Sequence, residues 1–196
     1  MNSVFIGGSR NLGRLNDAIR KRLENIIEKN LLVLVGDASG ADKAIQKYFS
    51  DRNYQNVLVY CMEGACRNNL GNWEFRCIAS DGRKRGWKYF AMKDAAMAKD
   101  ASCGFMIWDG RSKGTLNNVL NLMQNGKVAV LYFSPGKTFF TIRSPDDLRE
   151  VLSRCTPSFV TQLATHLNLE RRLQSIQNAL PFEDRAALQT AETVGG

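Results

Sequence analysis

Leu31-Leu32-Val33-Leu34-Val35-Gly36-Asp37-Ala38-Ser39-Gly40-Ala41-Asp42 is the stretch whose reading decides the fold. An aliphatic run with no polar alternation describes a strand buried on both faces, as in parallel sheets covered by helices. The run stops at Gly36-Asp37, and Ala41, Ala44, Ile45, Tyr48 and Phe49 then recur at helical spacing. Strand, glycine loop and helix follow one another directly.

The same order repeats on both sides of this stretch. Residues 3–6 form a short β-rich run ending in Gly7-Gly8-Ser9-Arg10-Asn11, and Leu12, Leu15, Ile19, Leu23, Ile26 and Ile27 then mark a helix. Residues 57–60, 105–108 and 128–133 read as further strands, with Leu116, Val119, Leu120 and Met123 as a helix between the last two. Residues 88–99 predict another helix, with Tyr89, Met92, Ala96 and Met97 on one face. Repeated strand–helix–strand units predict an α/β fold: a doubly wound, mainly parallel Rossmann-like sheet with a C-terminal helical appendage. Residues 62–85 lack clean periodicity, and long irregular connections of this kind are usually functional or mobile. Glu74 in that segment is a candidate lid residue.

After residue 133 the character changes. Ser134-Pro135-Gly136 is a turn, residues 139–142 an edge strand, and Ser144-Pro145-Asp146 a helix start with Pro near the first helical position. Thr156-Pro157 opens a further helix, and Phe159, Val160, Leu163, Leu167, Leu173 and Ile176 describe an amphipathic pair. The expected division is an α/β domain over 1–133, a strand and helical extension over 134–180, and a disordered tail over 181–196.

The chain has 196 residues, 44% hydrophobic and 23% charged, with 16 Gly and 4 Pro, which excludes collagen-like, low-complexity and disordered classes. No apolar run approaches the ~20 residues that span a bilayer, and the first residues do not read as a signal peptide, so a cytoplasmic location is expected. Five irregularly spaced cysteines without a CxxC pair, and His166 as the single histidine, argue against a zinc site and for reduced thiols. No metal and no cofactor are expected. The net charge of +8 favours anionic partners.

Three strand-to-helix loops are rich in glycine: residues 7–11, 36–42, and Asp109-Gly110-Arg111-Ser112-Lys113-Gly114-Thr115. In an open α/β sheet these loops share the edge at which ligands bind. Glycine lets backbone N–H groups approach a ligand, and each following helix start favours phosphate. Ser39 and Asp42 also form an S-x-x-D capping box, so Asp42 either satisfies backbone donors or contacts a ligand. Asp109 is likewise either a site residue or a turn residue before Gly110. Neither GxxxxGK[ST] nor GxGxxG is present, and His166 lies too far along the chain for a Ser-His-Asp triad in the core.

Taken in order, G-G-S-R, G-D-A-S-G-A-D, M-K-D-A-A-M and D-G-R-S-K-G-T resemble the SLOG superfamily over residues 1–133. This Rossmann-like group includes the Lonely Guy phosphoribohydrolases and the DNA-processing protein DprA, and the resemblance is nearest to its YspA/YpsA-related branch. It implies a pocket for a nucleotide or nucleotide-derived ligand, such as a nucleoside monophosphate, ADP-ribose or an NAD-like molecule. On that likeness Gly7, Gly8, Ser9 and Arg10 line the phosphate or ribose side. Gly36, Asp37 and Asp42 sit beside them, and Gly110, Ser112, Gly114 and Thr115 cradle a phosphate. Lys93 and Asp94 stand where related proteins carry an Arg-Asn or Arg-Lys pair, and Met97 matches a methionine there.

Two departures bear on activity. The glutamate of the Lonely Guy G-G-x-G-T-x-x-E motif is replaced by Asn118, an amide that cannot act as general base or carboxylate nucleophile. The arginine of the other catalytic motif is replaced by Lys93. The expectation is therefore a nucleotide-derivative sensor or carrier. The alternative is a nucleotide N-glycosidase or phosphoribohydrolase using Asp94 or Asp109. A third reading, single-stranded nucleic-acid binding, rests on the basic and aromatic residues 82–90. Pairing of two copies into a homo-oligomer is a further expectation.

Overall fold

A computed structural model describes residues 2–64, 66–80, 82 and 86–179. Its chain order is β1 (Ser3–Gly8), α1 (Asp17–Glu28), β2 (Leu32–Gly36), α2 (Ala41–Ser50), β3 (Val57–Met62), β4 (Phe75–Ile78), α3 (Trp87–Asp100), β5 (Cys103–Trp108), α4 (Lys113–Gln124), β6 (Ala129–Phe133), β7 (Thr138–Ile142), α5 (Pro145–Leu152), α6 (Pro157–Leu167) and α7 (Leu169–Ala179). The seven strands form one sheet in the order β4-β3-β2-β1-β5-β6-β7, parallel throughout except for the antiparallel β6–β7 pair. This is the doubly wound α/β architecture that the aliphatic runs predict.

Both sheet faces are apolar because successive strand residues point to opposite sides. Val4, Ile6, Val33, Val35, Val57, Val59, Phe105 and Ile107 join the core that Ile19, Leu23, Ile45 and Phe49 of α1 and α2 complete. The intervening Phe5, Leu34, Tyr60, Met106 and Trp108 are equally buried. Helices α3 and α4 pack on each other and on the central strands. The strand order reverses between β1 and β5, and their carboxyl ends open the crevice where such sheets bind ligands.

Three differences from the sequence reading have local causes. Helix α1 starts at Asp17, not near Leu12, because Asn16 caps it: its Oδ1 accepts from the Ile19 N–H at 3.0 Å. The irregular connection contains β4, whose four residues are largely exposed and carry no apolar alternation to reveal them. The edge strand expected at 139–142 is β7, the last strand of the sheet, paired with β6. The first compact unit therefore runs over Met1–Arg143, past the expected boundary at 133.

The second unit, Ser144–Gly196, holds α5, α6 and α7. Ser144 closes a capping box with Asp147, and Pro145 takes the first turn of α5. Helix α7 packs on both α5 and α6. The expected disordered tail, 181–196, lies outside the described residues. Among those described, no helix is long and apolar enough to cross a membrane.

Candidate functional site

A cavity of about 610 Å³ opens at the carboxyl ends of β1 and β5. The end of β1 contributes Gly8, the loop after it Arg10 and Asn11, and the start of α4 with its N-cap contributes Ser112, Lys113, Gly114, Thr115 and Asn118. Helix α3 contributes Trp87, Phe90, Ala91, Lys93, Asp94 and Met97; Phe5, Ala38, Asp42 and Gly86 complete the lining. Of the residues expected to bind ligand, Gly8, Arg10, Asp42, Lys93, Ser112, Gly114 and Thr115 converge here, with Asp94. Gly7, Ser9, Gly36, Asp37, Gly110 and Asp109 do not line the cavity. Exposed Glu74, the candidate lid residue, does not line it either.

Two glycines hold the loops together. A Cβ on Gly8 would lie 2.5 Å from the Ile107 carbonyl oxygen, and one on Gly40, at φ +76°, 2.2 Å from that of Arg10. The opposite holds at Gly114, where a Cβ would meet only Trp87 Nε1, at 4.0 Å. That face of the α4 start is open to the cavity.

Asp109 is committed to its own loop. Its Oδ1 accepts from the Arg111 and Ser112 N–H groups at 3.0 and 2.7 Å. Its Oδ2 accepts from Ser9 Oγ at 2.7 Å and Asn11 Nδ2 at 3.1 Å. Burial pushes this carboxyl up, but those donors outweigh it and hold it below the ordinary aspartate range. Asp109 thus ties the β1 loop to the β5 loop, as a turn residue with a long reach.

Asp37 is committed in the same way. Arg67 donates to it from Nε at 3.0 Å and from its backbone N–H at 3.2 Å, with Nη2 on the other oxygen. Burial raises this carboxyl, and Arg67 together with Lys93 overcomes the effect and lowers it.

The charged centre of the cavity is Lys93, whose Nζ lies 2.7 Å from Asp94 Oδ1 and 4.0 Å from Asp37 Oδ1. Burial opposes its charge, but Asp94, Asp42 and Asp37 prevail and keep it protonated. Gly36 makes room for this cluster: a Cβ there would lie 2.5 Å from Asp42 Oδ2 and 2.7 Å from Lys93 Nζ. The capping box expected of Ser39 and Asp42 does not form, since α2 is capped at Gly40 without a side-chain bond; Asp42 instead accepts from the Ala38 N–H at 3.3 Å while lining the cavity. Burial, aided by Asp94 and opposed by Lys93, pushes it up to about 6. The pairing also explains why α3 buries Lys93 in its middle, where the apolar face expected from Tyr89, Met92, Ala96 and Met97 is only partly realised.

Thr115 Oγ1 and Asn118 Oδ1 are, among the described residues, the buried side-chain polar atoms without a hydrogen-bond partner. Both residues line the cavity. They stand at the start of α4, whose N-cap Ser112 makes no side-chain cap; its hydroxyl donates to Ser9 instead, at 2.7 Å. A hydroxyl able to donate and accept and an amide oxygen that accepts thus lack partners in the lining of the cavity, beside a helix start without a side-chain cap.

The aromatic wall comes from the basic and aromatic segment 82–90 that the sequence singles out for nucleic acid; in the fold its Trp87 and Phe90 line the cavity. Trp87, Phe90, Ala91 and Asp94 recur at helical spacing along α3 and so share one face, while Arg83, Lys84 and Arg85 of the same segment lie outside the described residues. Phe90 carries two guanidiniums, with Arg67 Cζ 4.5 Å and Arg10 Cζ 5.6 Å from its ring centroid. Comparison with protein-family models and with curated proteins finds no match to this chain.

Proposed function

We propose that the cavity binds a nucleotide or nucleotide-derived ligand, a nucleoside monophosphate, ADP-ribose or an NAD-like molecule, and that the protein acts as its sensor or carrier. The observation that carries this reading is the pair of orphaned polar atoms, Thr115 Oγ1 and Asn118 Oδ1, beside the uncapped start of α4 and the open face of Gly114. An anionic group there gains first-turn N–H donors and the helix dipole. Orphaned acceptors suit hydroxyl or amine donors of the same ligand, which ribose and bases supply. Trp87 and Phe90 offer stacking surface at the wall, and the volume lies within the range of small-molecule sites. Membership of the SLOG superfamily is part of the same proposal.

A second reading has one observation in its favour. Asp42, its carboxyl pushed up to about 6 by burial, and Asp94 line the same cavity, as an acid and a carboxylate do in glycosidic cleavage. On that reading Asp94 and Asp42 carry the chemistry, and Asp109 serves the loop.

The deciding experiment is a thermal-shift panel of AMP, GMP, CMP, ADP-ribose, NAD, cyclic ADP-ribose and deoxynucleotides, with product analysis of every hit. A ligand at ~100 times its Kd adds roughly 2.7 kcal/mol of stability. A shift without product supports the sensor or carrier; free base supports the hydrolase. No shift across the panel overturns both.

A further inference from the structure

At one edge of the sheet, β3 and β4 pair in parallel with Cys61 directly opposite Cys77. Their Sγ atoms are 2.6 Å apart, about 0.6 Å beyond a disulfide bond of roughly 2.0 Å. Neighbouring strands run about 4.8 Å apart, which falls within the Cα separation of roughly 4.4–6.8 Å that a disulfide spans. Bridging these thiols needs side-chain movement only.

The two thiols differ in access, since Cys61 is buried and Cys77 is exposed. Half-buried Cys66 is an electrostatic neighbour of both Cys61 and Cys77. Three of the five cysteines therefore gather at one edge, whereas Cys103 opens β5 and Cys155 follows α5. An exposed thiol on an edge strand adds little packing, so core filling does not account for Cys77.

We propose that Cys61 and Cys77 are a thiol–disulfide exchange site that takes low-molecular-weight disulfides of the glutathione class as oxidant. The Cys77 thiolate attacks one sulfur of that disulfide, which expels the first small thiolate and leaves a mixed disulfide on Cys77. Cys61 then loses its proton and attacks the Cys77 sulfur. This forms the Cys61–Cys77 bond and expels the second small thiolate. Two protein thiols are oxidised, one small disulfide is reduced to two thiols, and the two protons leave with them. Burial holds the Cys61 thiol above its ordinary range, so the closing step quickens as pH rises. The site is separate from the cavity and does not depend on the ligand proposed for it.

The test uses the full reduced chain, exposed to oxidised glutathione at pH 8 and quenched with N-ethylmaleimide in denaturant. Intact mass should show two fewer alkylated thiols than in the unexposed chain. Trypsin should then yield fragment 53–67 linked to fragment 77–83, and cleavage after Glu63 should place the link on Cys61 and not on Cys66. Cys61→Ser and Cys77→Ser should each abolish the bridge; Cys66→Ser, Cys103→Ser and Cys155→Ser should retain it. The proposal fails if all five thiols alkylate, if Cys77 holds a stable glutathione adduct without a bridge, or if the link joins any other pair. Mapping on the unsubstituted chain decides this even where a variant folds poorly.

Discussion

The guanidinium of Arg67 closes on the carboxylate of Asp37 from thirty residues along the chain, using Nε, Nη2 and the residue's own backbone N–H. Asp37 is 2% exposed, while the Arg67 side chain is 38% exposed and lies over the Phe90 ring. One contact thus anchors the connection after β3 to the end of β2 and braces the aromatic wall of the cavity.

Removing Arg67 strands a buried carboxylate whose remaining cation is Lys93, at 4.0 Å. Arg67→Ala should destabilise the protein by about 2 kcal/mol, below the fully buried case because Arg67 is partly solvated. Arg67→Lys should lose roughly half as much, since it keeps charge but not the two-pronged grip. Urea unfolding midpoints measure both. Because the folded pKa of Asp37 is depressed, the stabilisation is present above the unfolded value of about 3.9 and is lost as pH falls through the folded one. The gap between wild type and Arg67→Ala should therefore narrow in acid.

Thr115→Val removes an orphaned hydroxyl at nearly constant volume. An unsatisfied buried polar atom costs about 1–3 kcal/mol, so the ligand-free Tm should rise by a few degrees. The shift produced by any panel ligand should shrink several-fold. A variant that lowers the ligand-free Tm and leaves ligand shifts intact would sink the assignment of Thr115.

Gly114 and Gly8 should respond in opposite ways to alanine. At Gly114 a methyl has open space and a helical position, so Gly114→Ala should stabilise the ligand-free protein by up to about 1 kcal/mol while weakening ligand binding. At Gly8 the obstacle is the Ile107 backbone, which cannot yield; Gly8→Ala should cost roughly 1–3 kcal/mol or more. Thermal unfolding with and without ligand separates the two effects.

Asp42 sets a pH limb of the opposite sign to that of Asp37. Its folded pKa, about 6, exceeds the unfolded value, so the folded state holds the extra proton between about pH 4 and 6. Stability from this group is present in acid and declines as pH rises through that window, by an upper bound on the order of 3 kcal/mol. Asp42→Asn should flatten the decline between pH 4 and 7 in a Tm profile. If the profile of the variant parallels the wild type there, the raised pKa is wrong.

The Tm profile, the two glycines and the Arg67 clamp all depend on contacts of different sequence range, and that range separates what was legible from what was not. The aliphatic runs at β2, β3, β5 and β6 declare strands buried on both faces, because burial imposes a local pattern on neighbouring residues. Repetition of strand, loop and helix then dictates a parallel sheet, and parallel strands bring every glycine loop to one edge. Gly8, Arg10, Asp42, Ser112, Gly114 and Thr115 belong to those loops and line the cavity, whereas Lys93 and Asp94, in the middle of α3, were expected there only from the family resemblance. Short, exposed β4 left no such pattern.

Which carboxylates serve the fold, and which face the cavity, was decided by tertiary structure. Asp37 and Asp109 follow strand ends just as ligand-binding aspartates do, but Arg67 and Ser9, at sequence separations of 30 and 100, occupy their oxygens. Lys93 of α3 and Asp42 of α2 come together only where both close on Gly36 at the end of β2, and Cys61 meets Cys77 only through strand register. Periodicity reports the environment of a residue's own element; the partner of a charge or a thiol is chosen by topology and register, which emerge only when distant elements pack.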